Sequence, residues 1–378
     1  MKNITLFLLC LVIPNFSHSQ NIDSLRTLLS NKKRDYAFYH QIIKVQDTSI
    51  TKEYSGLIDQ IGSFFKPIPE LNTVEMDIGK NYVPRKAVDV LDSIAPKEQI
   101  IIFNEAHDNP YHRVATTSYL STLYKHGFRY LALESLYEND STINIRKYPQ
   151  QDVSGYYVNE PCYGDMVREA LRLGFTLVAY EFESRIFELR EKKQAENIYN
   201  RIFVKNPNAK VVIHCGYGHG LDKKSDESNA LMGFYLKDKS RINPFVVNQI
   251  YYITDTISEP IFFVSPITNR IWRLPSDFDA EIFLPKPKWV NNRPNWYSIG
   301  KKRYEYLPDL KEMNLTPPFL MQVFIKSEGK NAVPLDQIEI DDINQPKGLW
   351  LYPDKYIFRV IDTHNAVKFE KEILIEAN

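Results

Sequence analysis

Residues 99–135 read QIIIFNEAHDNPYHRVATTSYLSTLYKHGFRYLALES. Gln99 leads into an apolar run of the buried-strand type, Ile100–Phe103, which Asn104-Glu105-Ala106-His107 ends abruptly. Asn109-Pro110 then opens a helical pattern that Gly127 stops, with Pro just inside the start and Gly just past the end. FRYLALE, 128–134, is a second strand. The alternation continues outward through a helix at GDMVREALRLG (164–174), a strand at FTLVAYE (175–181) and a long helix at 185–206. A strand at AKVVIHC (209–215), a helix at 225–240 and a strand at PFVVNQIYYIT (244–254) follow. Five strands alternating with helices predict a mainly parallel sheet covered by helices on both faces, an α/β fold.

The flanks differ. Residues 21–97 predict a polar, helical cap region, from Leu25, Leu28 and Leu29, through Leu57, Ile58 and Ile61 up to Pro67, to Val88, Leu91 and Ile94. The α/β domain is expected over 98–300. Segment 285–308, rich in Pro and aromatics, reads as a loop wrapping the domain surface or as a linker. Residues 317–378 predict a small antiparallel β module, in which YPDKYIFRVID has the look of an immunoglobulin-like strand pair. That module is the expected place for any protein contact.

At the other end, MKNITLFLLCLVIPNFSHSQ carries one Lys, an apolar run and small residues at Ser17 and Ser19. This predicts a secretory signal peptide over 1–20 and a periplasmic or extracellular mature protein. Cys162 and Cys215 then remain, and either a disulfide or two thiols fits their spacing.

Equal numbers of Lys+Arg and Asp+Glu, 47 each, lack the basic excess of a nucleic-acid binder. After the leader no run approaches the ~20 apolar residues of a membrane span. There is no G-x-S-x-G, H-E-x-x-H or P-loop. A small-molecule or peptide substrate is the expected partner.

Ligands of parallel sheets bind at the carboxyl ends of strands. The residues there are Asn104, Glu105 and His107; Glu134 and Ser135; Glu181 and Glu183; and His214 through His219. Carboxylates and imidazoles converging on one edge suit general acid–base work or a divalent metal. NEAH and GYGH both read small-x-x-His after a strand, and Asn104 and Gly216 each tolerate the left-handed backbone of a sharp turn. Structural alternatives stand beside this. Glu105 is also placed to cap the next helix, Glu134 to pair with Arg113, Glu181 with Arg185, and His214 to be satisfied in the core.

IIFNEAHDNPYH resembles the G-E-x-H-D-N-P opening of the ChaN-like haem-binding uptake proteins, relatives of the Tiki metallopeptidases and the erythromycin esterases. FRYLALES is similar to their second strand, RIFELREKKQAENI…NPNAKVVIHCGYGH to their Arg-rich helix and glycine-rich turn, and NNRPNWYSIG to a late Arg-Pro segment. The likeness covers residues 98–300, with Asn104 where Gly is usual and the Glu-His spacing of the ChaN and Tiki type. It implies that Glu105, His107, Glu134 and His219 are catalytic and matches Arg113 and Arg190, which with Glu181 and Tyr217 at the strand ends are the expected substrate-binding residues. The implied activity is ester or amide hydrolysis. In the Tiki reading His107, His219 and Glu105 would hold a divalent metal. The alternative is haem or metal uptake without turnover, with Tyr217 a candidate axial ligand.

Overall fold

The computed structural model describes residues 33–44, 52, 55–68, 78, 81–224, 230–274, 277–300, 303–311 and 313–377. The expected leader lies outside them. Helices α1 (Tyr36–Ile43) and α2 (Ser55–Gly62) come first, then β1 (Val83–Lys86), α3 (Ala87–Ile94), β2 (Ile100–Glu105), α4 (Tyr111–Lys125) and β3 (Phe128–Leu133). A 3₁₀ turn at Tyr157–Asn159 leads into α5 (Pro161–Leu173), β4 (Thr176–Ala179), α6 (Phe187–Ile198), β5 (Lys210–Gly216) and α7 (Met232–Ser240). β6 (Phe245–Thr254), β7 (Ile261–Val264) and β8 (Ala280–Pro285) complete one eight-stranded sheet, ordered β1-β7-β8-β6-β2-β5-β3-β4.

Six neighbouring strands, β8-β6-β2-β5-β3-β4, run parallel, and β7 is antiparallel to β8 and β1. The α/β expectation holds. The apolar runs of β2 and β5 are buried throughout, as strands covered on both faces must be. Their side chains feed two cores, one around Phe103, Leu131 and Met166 and one around Ile102, Ile213 and Ile198. Helix ends follow local chemistry. Glu160 caps α5, accepting from the Cys162 and Tyr163 N–H groups at 2.8 and 2.9 Å, and Gly174 closes it with φ +100°. After β5 the chain crosses to the far side of β2, so the strand order reverses there, where open sheets bind ligands.

Three expectations change. Val83–Lys86, read as part of the cap, is an edge strand of the main sheet. Segment 285–308, read as a surface loop or linker, is anchored in the fold, with Arg293 fully buried on Asp336 at 2.7 and 2.9 Å and Trp296 buried and stacked on Tyr111. Helices α1 and α2 pack on the C-terminal sheet, where Tyr36, Phe38, Ile61 and Phe65 share a core with Leu320 and Ile361. That sheet has four antiparallel strands, Phe319–Ile325, Asp336–Ile340, Asp354–Asp362 and Val367–Ile375. Its core includes Leu349 and Leu351 of a short ribbon with Tyr304–Tyr306. Cys162 and Cys215 are buried free thiols. No helix among the described residues is long and apolar enough to cross a membrane.

Candidate active site

Glu105 is the last residue of β2 and is 2% exposed. Arg113, on the first turn of α4, grips it with Nε and Nη2 at 2.7 and 2.8 Å. His107 Nδ1 meets the same carboxylate at 2.9 Å and His214 Nε2 at 2.8 Å. Four donors fill the lone-pair directions of a carboxylate. Burial alone would raise the Glu105 carboxyl, but the Arg113 charge and these bonds outweigh it and hold the group well below the usual range. Arg113 also bonds Glu160 at 3.0 Å and the His107 carbonyl at 2.7 Å. A polar chain supports the far side. The Thr116 hydroxyl lies 3.2 Å from His214 Nδ1, and Gln249 Nε2 donates to that hydroxyl at 2.9 Å.

The second half of the site gathers around Glu134, just past β3. One oxygen accepts the Gly216 N–H at 2.6 Å and the other accepts Arg190 Nη2 at 2.8 Å. Arg190 spans to Glu181, at 3.0 Å from Nε and 2.5 Å from Nη2. His219 sets Nδ1 on a Glu191 carboxylate oxygen at 2.8 Å, and its Nε2 faces Glu134 at 3.6 Å and Arg190 Nη1 at 3.3 Å. Burial disfavours the His219 imidazolium, but the Glu191 bond and the Glu134 and Glu191 charges overcome this and raise its pKa above the ordinary value. Gly216 is what lets the halves meet. A methyl group there would lie 2.4 Å from His107 Nε2 and 3.3 Å from a Glu134 oxygen, so both groups border one point.

Glu105, His107, Glu134, His219, Glu181 and Arg190 all line one cavity of about 210 Å³, with Ser135, Tyr157, Tyr163 and His214. A wider cleft of about 610 Å³ shares Glu134, Ser135, Tyr157, Glu181 and Arg190 and opens past Tyr137 and Glu183. The four residues expected to be catalytic therefore come together.

Other expectations are corrected. Arg113 is fully buried between Glu105 and Glu160 and offers nothing to a substrate. Its partner is Glu105, whereas Glu134 pairs with Arg190, and so does Glu181 in place of Arg185. Asn104 is an interior strand residue bonded to Asn248 at 2.9 Å, and the left-handed residue of the second turn is Tyr217, φ +43°. Glu105 caps no helix, because the N-cap of α4 is Pro110. His214 is satisfied in the core as expected, yet it also walls the cavity.

Glu191, the partner of His219, was missed. It sits four residues before Ala195 and seven before Ile198, on the same helical face, and is fully buried. That placement of an acid on an apolar face was the available signal. Tyr157 carried no such signal.

The donor set does not fit a divalent metal. Glu105 is saturated by donors and Glu134 holds Arg190, a cation within 3.3 Å of His219 Nε2. Among the described residues no group of three or more His, Cys, Asp or Glu side chains is arranged to hold a metal ion. Tyr217, the candidate haem ligand, is 48% exposed and stands edge-on to His107 outside the cavity walls.

No family model matches the chain, and no curated protein matches it. Among solved structures it is similar to the type III effector HopBA1, at 14% identity over 56% of this chain and 98% of that one, with a TM-score of 0.36. It is also similar to RRSP, a MARTX toxin effector domain from Vibrio vulnificus CMCP6, at 15% identity over 62% of this chain and half of that one (50%), with a TM-score of 0.29.

Proposed function

We propose that this edge of the sheet hydrolyses an ester or amide bond, in a protein exported from the cell. One observation carries the reading: two imidazoles, each oriented by a buried carboxylate, meet across Glu134 in a single cavity beside Arg190. With Nδ1–H given to Glu105, His107 keeps the Nε2 lone pair on the cavity side, the state a general base needs. Glu134, tied at both oxygens, positions the attacking water. His219, biased toward its protonated form, and Arg190 face the carbonyl oxygen as negative charge develops there. His219 then protonates the leaving group. The base and the acid are thus separated by environment, as two-group hydrolysis requires.

The test is hydrolysis of p-nitrophenyl acetate and of an aminoacyl p-nitroanilide by the purified chain, His107→Ala and His219→Ala. Each substitution is expected to cost on the order of 10²–10⁴ in kcat/KM, the usual worth of a positioned acid or base. Turnover that survives both substitutions undiminished, or a parent chain inert toward every ester and amide tried, overturns the proposal.

A further inference from the structure

We infer that Tyr157 is a positioning residue for the His107 imidazole and that helix α2 holds it there through Gln60, so that chain outside the α/β sheet completes the site. This rests on His107 being the base. The Tyr157 ring stacks on His107 with centroids 4.4 Å apart and planes 12° from parallel. The Arg113 guanidinium lies 5.8 Å from the same ring. The Tyr157 N–H donates to Ser135 Oγ at 3.0 Å, and its hydroxyl donates to Gln60 Oε1 at 3.2 Å. The ring is therefore fixed at its backbone by the end of β3 and at its tip by α2.

The turn that carries Tyr157 is built for this approach. Gly155 passes so close to the turn after β3 that a Cβ there would sit 1.9 Å from the Ser135 carbonyl oxygen. Tyr156 and Tyr157 then pack on the core shared by Phe64, Ile61, Leu320 and Ile361, so helices and β module brace the same turn.

The stack supplies what the Glu105 bond lacks. One hydrogen bond at Nδ1 fixes one edge of the imidazole but leaves the ring free to tilt about that contact. A parallel face at 4.4 Å removes the tilt and keeps Nε2 aimed at the cavity. Tyr217 meets the ring only edge-on, at 5.2 Å and 88°, and so leaves that freedom unchecked. A tilt that misplaces a base by ~1 Å costs about 10²-fold in rate.

The experiment uses the full chain with ¹⁵N-labelled histidine. Its readouts are the Nδ1–H tautomer signal of His107 by NMR and the kcat and KM for p-nitrophenyl acetate. Tyr157→Leu is expected to blur the His107 tautomer signal and to lower kcat about 10- to 100-fold with KM little changed. Tyr157→Phe keeps the ring and restores most of that loss. Gln60→Ala should match Tyr157→Phe, and the double substitution should add nothing, because both remove one bond. A Tyr157→Leu chain with the parent's tautomer signal and kcat overturns the inference. If Tyr157→Leu does not fold, additive effects of Gln60→Ala and Tyr157→Phe, or none, overturn it. Should the parent show no turnover, the hydrolase reading falls while the NMR signal still decides the positioning.

Discussion

Gly216→Ala is the sharpest perturbation this geometry offers. Its φ lies outside the left-handed region and its N–H still bonds Glu134, so alanine suits the backbone and keeps that bond. The added methyl would lie 2.3 Å from His107 Cε1 and 2.4 Å from Nε2. Carbon contacts are comfortable near ~3.5–4.0 Å, so one partner must yield by more than ~1 Å. The ring cannot simply swing aside, because Glu105 holds Nδ1 at 2.9 Å and Tyr157 covers its face. A base displaced by ~1 Å loses about 10²-fold in kcat/KM, or ~2.7 kcal/mol of transition-state stabilisation. Overpacking should cost only ~1–3 kcal/mol of stability. Parallel ester-hydrolysis kinetics and urea unfolding separate the two effects. A folded Gly216→Ala chain with unaltered kcat/KM would refute the placement of His107 Nε2 at this point.

The remaining predictions concern charge. Glu105→Ala leaves Arg113 buried with part of its compensation gone and should destabilise the fold by about 3–5 kcal/mol, read by denaturant titration. In the parent chain Glu105 sits well below its ordinary 4.5. Its contribution to stability is therefore present above that pH and is lost as pH falls through the folded value, which urea melts in the acid range will show. Because the folded His219 pKa is raised above 6.5, its stabilising share is full below 6.5 and lost as pH rises through the folded value. Activity should fall on that alkaline limb, and Glu191→Gln should move the limb to lower pH in a pH–rate profile. Finally, dialysis against EDTA should leave ester hydrolysis unchanged, and activity restored only by added zinc would contradict the assigned donor roles.

The parts of the site that were legible in the sequence share a cause. An apolar strand that ends in polar residues marks a sheet edge, and Glu105, Glu134 and His219 each follow such a run within a few residues. Their partners were not legible, because pairing is decided by how helices lie on the sheet. Arg113 and Arg190 are both basic residues on helices that follow strands, and nothing in their spacing says which reaches Glu105 and which Glu134. In the structure α4, which follows β2, gives Arg113 to Glu105, while α6, which follows β4, gives Arg190 to Glu134. Segment 285–308 misled for another reason. Its prolines and asparagines signal turns, but Arg293 is buried on Asp336, and Trp296 and Tyr297 in the main core beside Tyr111, by long-range contacts that no local pattern records.

The two halves of the site differ in a way that bears on mechanism. Arg113 and Glu105 are almost wholly buried, and a buried ion pair is weak as a source of stability, since apolar residues of similar shape often do as well or better. What this pair achieves is a fixed Glu105 carboxylate, which in turn sets the His107 tautomer and, with Tyr157, its angle. Arg190 and Glu181 keep about a quarter of their side-chain surface exposed, at 24% and 25%. They line both the inner cavity and the wider cleft. On the proposed mechanism that exposure lets their bonds exchange at small cost when a substrate carbonyl enters. A rigid base beside an adjustable cation suits a reaction in which proton abstraction needs a set geometry while the oxyanion moves as it forms. If the Arg190–Glu181 pair were instead only a structural brace, Glu181→Gln would lower the melting temperature and leave KM untouched. On the present reading it frees Arg190 and changes KM more than stability.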